Sequence, residues 1–501
     1  MRSYRKIFWV GLAVRFATLP FLLQWFHADE RQMLEFAHFH AHGRLHPFLE
    51  SRLHLRNQTL PWLFSWVLRG LDSVGLDGPR FALLAMDSLI AVWTWLGFWA
   101  ILAFLKTESE KEDQKELADT LSWLGWFFAL FWGFCFLYSR PLLEAVSFAP
   151  TCFLLLALQR KQALRAGFWA GLTGIFRYPS ILWSLGAVLF WGYQNRGVRS
   201  QLKKTWVLPL LLGLIGFLIA GGFGGWADSA TYGKFLNSAP SYWNFNRPGG
   251  PVAAAFGNDS LSVYWKWFSY LFTPWLAPSV IGLGAWALIR VPGVGLFCLP
   301  YLLGHLWTPH REPRFMLPLT PFLFLALAMA WRRIQNHLGK VPPVFRRWGW
   351  GLLWVHLFLN FAWFPIQGWA QWRSAQGVLL RHYSELNLRA KDLITTIDPL
   401  IDAWVPPSVR WGDLSCHWHR PEMPNPILGK SLWVWSKEAL DGCVSIEAPP
   451  VQSRLISGVE RIVRVKFCGR WDCGSGEQTL KAFCPAGLAI ASEGEPGRSI
   501  P

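Results

Sequence analysis

Residues 206–223 read WVLPLLLGLIGFLIAGGF, eighteen positions without a single Asp, Glu, Lys or Arg. That length of uncharged, Leu- and Ile-rich chain is close to what spans the hydrocarbon core of a bilayer as a helix. Residues 316–331, MLPLTPFLFLALAMAW, repeat the pattern over sixteen positions. The whole chain follows suit: 52% of its 501 residues are hydrophobic and only 16% are charged, against about 25% in an ordinary soluble domain. These figures exclude an ordinary soluble enzyme and a disordered chain. They specify a multi-pass membrane protein.

Working outward, Arg2, Arg5 and Lys6 precede an apolar run over 7–26 with no small-residue cleavage site after it, which reads as an uncleaved first helix with a cytoplasmic N-terminus. A polar stretch, 27–58, follows. Residues 60–71 are apolar but short, suited to an interfacial or re-entrant helix. Residues 81–105 are long enough to cross and lead to a mostly charged loop, 106–119, expected to be solvated. Residues 121–138 and 141–158 form a hairpin with Ser139-Arg140 at its tip. The stretch 167–191 is too long for one crossing and too short for two. Arg177-Tyr178-Pro179 at its centre predicts two half-helices meeting inside the membrane. Further crossings are expected over 205–225, 271–289, 294–307, 315–331 and 348–364, with an outer loop over 226–264.

The charge of the chain supports this topology. The formal net charge is +17, yet the 15 Lys and Arg beyond residue 366 are offset by 14 Asp and Glu, which leaves +16 for the membrane part. The excess lies in acid-free basic loops, such as Arg196, Arg199, Lys203 and Lys204, or Arg332, Arg333, Lys340, Arg346 and Arg347. All of them fall on one side in this count, as orientation by positive charge requires, so nucleic acid is not the partner the charge implies. The chain divides into a transmembrane domain, 1–366, and a non-cytoplasmic C-terminal region, 367–501. Cys135, Cys152 and Cys298 sit in apolar segments and read as small buried residues. Cys416, Cys443, Cys468, Cys473 and Cys484 lie in the tail at spacings that match no zinc pattern, so a disulfide-containing, mixed or β-rich appendage is expected there, with 459–467 as a strand.

Under this topology three groups of ionisable residues converge on the outer membrane face: His27-Ala28-Asp29-Glu30, then Arg140 with Glu144, then His310-Arg311-Glu312-Pro313-Arg314. Arg177 lies deeper. One such residue is easily explained by snorkelling or an ion pair; a whole set on one face points to function. Carboxylates there can take a proton from a hydroxyl while cations hold a phosphate leaving group. No P-loop, strand-linked GxGxxG or HExxH is present, which argues against a nucleotide-driven pump or a zinc protease.

These segments resemble the GT-C glycosyltransferases, and more narrowly glycosyltransferase family 22, which includes the mannosyltransferases of GPI-anchor and N-glycan assembly. His27-Ala28-Asp29-Glu30, followed by Glu35 and His38, resembles the family's His-Pro-Asp-Glu segment, with Ala28 in place of Pro. Leu55-Arg56-Asn57-Gln58-Thr59-Leu60-Pro61 resembles its Leu-Arg-Ser-Tyr segment, Tyr138-Ser139-Arg140 with Glu144 its Thr-Arg-Thr hairpin, and Phe176-Arg177-Tyr178-Pro179 its Arg-Pro element. In the outer loop, Tyr242-Trp243-Asn244-Phe245-Asn246 is similar as well. The most specific match is His310-Arg311-Glu312-Pro313-Arg314-Phe315 with Pro318, similar to His-Lys-Glu-x-Arg-Phe. The resemblance covers roughly 5–335.

The resemblance implies an all-α polytopic membrane protein, a GT-C type helical bundle of about 9–12 transmembrane helices of bilayer length, with a small soluble C-terminal appendage. It implies inverting transfer of a hexose, mannose foremost, from a polyprenyl- or dolichyl-phosphate sugar to a lipid-linked glycan or glycolipid at the non-cytoplasmic face. The membrane would be that of the endoplasmic reticulum in a eukaryote or the inner membrane in a bacterium. Asp29 would be the general base, with Glu30 orienting it or acting in its place. Arg177, His310 and Arg314 would hold the donor phosphate, and His27, Glu35, His38, Arg140, Glu144 and Glu312 are substrate-site candidates. The residues require no cofactor, and a divalent metal stays open. The rival readings are a transporter or lipid flippase built around the break at Arg177, and a GT-C enzyme for another sugar.

Overall fold

The protein is described by a computed structural model covering residues 2–22, 28–43, 53–76, 79–111, 115–196, 202–247, 249–252, 257, 259–308 and 310–331, five isolated positions between 344 and 359, and strands of the tail. Two compact units are present. One comprises 1–22, 26–77 and 81–368, the other 23–25, 78–80 and 369–501.

The first unit is helical. Its elements are α1 (Arg2–Thr18), α2 (Ala28–His42), α3 (Thr59–Ser73), α4 (Pro79–Lys111), α5 (Lys115–Leu130), α6 (Trp132–Phe136), α7 (Leu143–Gln159), α8 (Ala163–Phe176) and α9 (Leu182–Gln194). They are followed by α10 (Leu202–Tyr232), α11 (Ser238–Asn246), α12 (Ser262–Phe272), α13 (Ala277–Arg290), α14 (Pro292–Trp307) and α15 (Thr320–Met329). Among the described residues, two helices are long and apolar enough to cross a membrane alone, over Phe81–Glu110 and Val207–Tyr232. Several expected crossings are instead built from shorter pieces. Residues 167–191 break at Arg177, as expected, into α8, a 3-10 turn (Tyr178–Ile181) and α9.

Other expectations need correction. The run over 271–289 is not one rod: α12 and α13 meet at 106°. Thr273 lies between them at φ 69°, immediately before Pro274, whose ring disfavours helical geometry in its predecessor. The charged segment after residue 105 is not a solvated loop at its start. Helix α4 runs on to Lys111, and Gln159 donates to Glu108 at 2.5 Å. The first helix stops at Thr18, where Pro20 enters a 3-10 turn. Helix α10 outlasts the expected crossing by two turns, to Tyr232, and α11 lies within the expected outer loop. The expected crossing over 348–364 lies outside the described residues apart from isolated positions.

Helix α7 forms the centre; nearly all its side chains are buried. Around it, Phe98 packs against Phe128, Phe134, Tyr138 and Phe148 at ring distances of 4.8–5.1 Å. Arg15 of α1 is fully buried in this bundle; its guanidinium lies 4.2 Å over Trp95 and donates to the carbonyls of Gly11 and Phe128, each at 3.0 Å. An ionised group inside a bilayer-spanning bundle needs this kind of compensation. Cys135, Cys152 and Cys298 are buried and free.

In the second unit, β1 (Leu393–Thr396), β2 (Lys430–Ser436), β6 (Arg464–Trp471) and β3 (Val444–Glu447) form a four-stranded sheet in that order, with β1 parallel to β2 and the other pairs antiparallel. Strands β4 (Val451–Gln452) and β5 (Glu460–Arg461) make a separate pair. The strand expected over 459–467 is therefore split between β5 and β6. The side chains of the five tail cysteines lie outside the described residues.

Candidate active site

The acidic members of the site occupy helix starts. Asp29 and Glu30 lie in the first turn of α2, and Glu144 in the first turn of α7. Unpaired backbone N–H groups and the helix dipole favour negative charge there. The cations come from the interruptions. Arg140 lies in the turn between α6 and α7, Arg177 at the α8 break in an extended conformation, and Arg314 in a 3-10 turn (Pro313–Met316). Interrupted helices are a common device for placing polar groups at a site within a membrane protein.

These groups meet. Asp29 accepts from Arg56 at 2.8 Å and from Arg314 at 2.6 Å, one arginine on each carboxylate oxygen. Arg314 also donates to Glu144 at 3.0 Å and to Glu312 at 2.6 Å. Glu144 takes a further bond from Arg177 at 3.1 Å. Glu30 pairs with Arg140 at 3.0 Å. Asp29, Glu30, Glu144, Arg140, Arg177 and Arg314 are all buried. Buried ion pairs are affordable only with such dense mutual satisfaction.

His310 extends the cluster towards the half-buried rim. Its Nδ1 lies 3.0 Å from Asp259 and its Nε2 3.0 Å from Glu312. Both partners are carboxylate acceptors, so the ring must donate from both nitrogens. Burial alone would depress its protonation; the hydrogen bond and charge of Glu312, with those of Asp259, outweigh it and raise the group above the ordinary histidine value. Asp29, Glu30, Glu144, Asp259 and Glu312 each pair with at least one of Arg56, Arg140, Arg177, Arg314 and His310.

Of the site residues expected from sequence, the structure brings together Asp29, Glu30, Arg140, Glu144, Arg177, His310, Glu312 and Arg314. Glu35 and His38 are buried farther along α2, where the His38 ring packs on His42 at 4.3 Å. His27 lies outside the described residues. Two members are additional. Arg56 was visible only as part of the Leu55-Arg56-Asn57 segment. His305 of α14 is a lone histidine on an apolar helix, a pattern that usually marks a satisfied core residue. Here Arg177, which can only donate, approaches its Nε2 at 3.2 Å. The ring is therefore the neutral tautomer with its proton on Nδ1, a buried donor without an acceptor among the described residues. Tyr301 completes this corner: Arg177 donates to its hydroxyl at 3.3 Å, and the hydroxyl donates to the carbonyl of Phe315 at 2.9 Å.

This arrangement sets arginines beside carboxylates, groups that can hold an anion and take a proton from a hydroxyl. Comparison with known proteins gives the reaction class. The model of the Alg9-like mannosyltransferase family matches residues 6–387. The chain belongs to the Alg9-like mannosyltransferase family. It is a membrane glycosyltransferase, as the resemblance of its motifs implied. A search of curated sequences gave no match. Among solved structures, the chain is similar to ArnT from Cupriavidus metallidurans bound to undecaprenyl phosphate, with a TM-score of 0.50, 11% identity, and coverage of 93% of this chain and 97% of that one. At that identity the likeness concerns the fold, a GT-C type helical bundle.

Proposed function

We propose that the protein transfers mannose, with inversion, from a polyprenyl-phosphate carrier to a lipid-linked glycan at the non-cytoplasmic face of its membrane. The observation that carries this reading is the single carboxylate of Asp29 held between Arg56 and Arg314, with Arg314 shared by Glu144 and Glu312. The undecaprenyl phosphate in the ArnT structure supports a polyprenyl-phosphate donor.

A phosphodiester entering the cluster competes with Asp29 and Glu144 for Arg314 and Arg177, whose forked donors suit phosphate oxygens. Asp29 then exchanges an arginine for the acceptor hydroxyl. The acceptor oxygen bonds to the anomeric carbon as the bond from that carbon to the phosphate oxygen breaks. The proton passes to Asp29, and the electron pair leaves with the phosphate, which gains the negative charge that Asp29 loses. A phosphate monoester leaves readily at neutral pH without a general acid, and Arg177, Arg314 and His310 stabilise it. Glu30, paired with Arg140 outside the arginines that face the donor, is assigned to orient the start of α2.

The test is transfer by the full-length protein in nanodiscs. Radiolabelled polyprenyl-phosphate mannose and a membrane lipid extract are supplied, and label is followed into extractable lipid. Formation of a labelled lipid distinct from the donor is expected. Label that stays on the donor, or transfer from an aminosugar donor alone, would overturn the assignment of the sugar.

A further inference from the structure

Outside the ion-pair cluster, one buried carboxylate has a role that the transfer step does not use. Asp228 is fully buried near the end of α10, in a segment long and apolar enough to cross a membrane. A carboxylate there is costly unless it does something. Its Oδ1 accepts from Asn57 Nδ2 and from the backbone N–H of Gln58, each at 3.2 Å. Its Oδ2 accepts from the Ser238 backbone N–H at 2.9 Å and from the Ser238 hydroxyl. Tyr232, one turn farther along the same helix, adds a second grip: its hydroxyl donates to the carbonyl of Arg56 at 3.0 Å and accepts from Gln58 Nε2 at 2.6 Å.

The residues so held are neighbours of the site's arginines. Asn57 and Gln58 directly follow Arg56, which bonds Asp29. Ser238 opens α11 and its hydroxyl bonds Tyr178, the residue after Arg177. Helix α11 in turn carries Tyr242, whose ring lies 5.3 Å from that of Tyr178. One carboxylate therefore ties together the two chain segments that aim Arg56 and Arg177.

We propose that Asp228 is a positioning residue for the transfer site, setting Arg56 against Asp29 through its Oδ1 and Arg177 against the donor phosphate through its Oδ2 and Ser238. This rests on the transfer reading above and divides its effect between two kinetic constants. The Oδ1 arm reaches Asp29 and should govern turnover. The Oδ2 arm reaches Arg177 and should govern donor use.

Three variants of the full-length protein separate the arms, with polyprenyl-phosphate mannose as the probe. Ser238→Ala should raise the donor KM about threefold to tenfold with kcat nearly kept, a loss on the scale of one hydrogen bond. Asp228→Asn retains an oxygen for Asn57 and Gln58 but loses the acceptor of both the Ser238 N–H and its hydroxyl, so it should raise the donor KM further than Ser238→Ala with kcat still nearly kept. Asp228→Ala loses both arms, and kcat should fall by about tenfold or more, as small misplacements of reacting groups do. Equal kinetics in Asp228→Asn and Asp228→Ala, or losses that merely track a lowered melting temperature, would overturn the proposal. Hydrogen exchange on the same proteins provides a readout independent of substrate. Residues 55–60, 177–181 and 238–246 should lose protection together in Asp228→Ala while α7 keeps its own. Unchanged protection would reject the tether. If wild-type protein does not use the mannosyl donor, the donor reading falls and the exchange pattern decides the tether alone.

Discussion

Adjacent carboxylates at the start of α2 have different fates, and the difference is set by which arginine each one meets. Glu30 and Arg140 are both buried and bonded at 3.0 Å. Glu30→Gln should therefore break a buried ion pair, a change that costs about 3–5 kcal/mol of stability, read as an early thermal transition in detergent. Asp29→Asn should be milder for the fold, because Arg314 keeps Glu144 and Glu312. His305 supplies a second contrast. His305→Leu removes the acceptor facing Arg177 and should raise the donor KM, whereas His305→Gln offers an amide oxygen in its place and should restore part of it. A KM equal to wild type in His305→Leu would remove this residue from the site. His310, in the loop between α14 and α15, makes the site pH-dependent. Its protonation is raised in the folded protein, so its bridge between Asp259 and Glu312 contributes fully below about pH 6.5, the ordinary histidine value. That contribution is lost as the pH climbs through the raised value. The donor KM should rise over that alkaline window, and His310→Gln should abolish the dependence; a pH profile identical in both proteins would contradict it.

At the scale of elements, the interruptions matter more than the helices. Arg177-Tyr178-Pro179 announced a break because proline cannot continue a helix and disfavours helical geometry before it, and the break is there. The 106° corner between α12 and α13 was hidden, since 271–289 reads as a uniformly apolar run and only Thr273-Pro274 marks the turn. Hydropathy reports depth and not direction. The same limit concealed the seam between α8 and α10. A Cβ on Gly167 would stand 1.7 Å from the Gly213 carbonyl oxygen, and one on Gly216 would stand 2.0 Å from that of Leu164. Small residues there allow two backbones to approach where lipid offers no hydrophobic drive. Gly167→Ala should push the helices apart and cost about 1–3 kcal/mol, the usual range for overpacking. Gly221→Ala, with nothing within 4 Å of the added carbon, should be neutral or slightly stabilising. Equal melting temperatures for the two variants would show that the seam is not a close contact.

Across the whole molecule, the fold class and most of the cluster were legible because charge in an apolar chain is conspicuous: Asp29, Arg140, Glu144 and Arg314 stand out against long uncharged runs. Arg56 and Asp228 were harder to read, since they fall in stretches read as polar or as outer loop, 27–58 and 226–264, where a charge is not conspicuous. The orientation read from basic loops makes its own prediction. Cysteines introduced at Gly197 and Gly339, in a background without the tail cysteines, should be shielded from an impermeant thiol reagent in intact cells or sealed microsomes, and labelling at either would reverse the topology. The central claim is that Asp29, and not Glu30, takes the acceptor proton during transfer from a polyprenyl-phosphate sugar. The most direct measurement is the single-turnover rate of mannosyl transfer by Asp29→Asn, which preserves side-chain shape while removing the base. The rate should fall by at least about 100-fold, the lower bound typical of general-base catalysis, with donor binding retained; a rate near that of wild type would contradict the account.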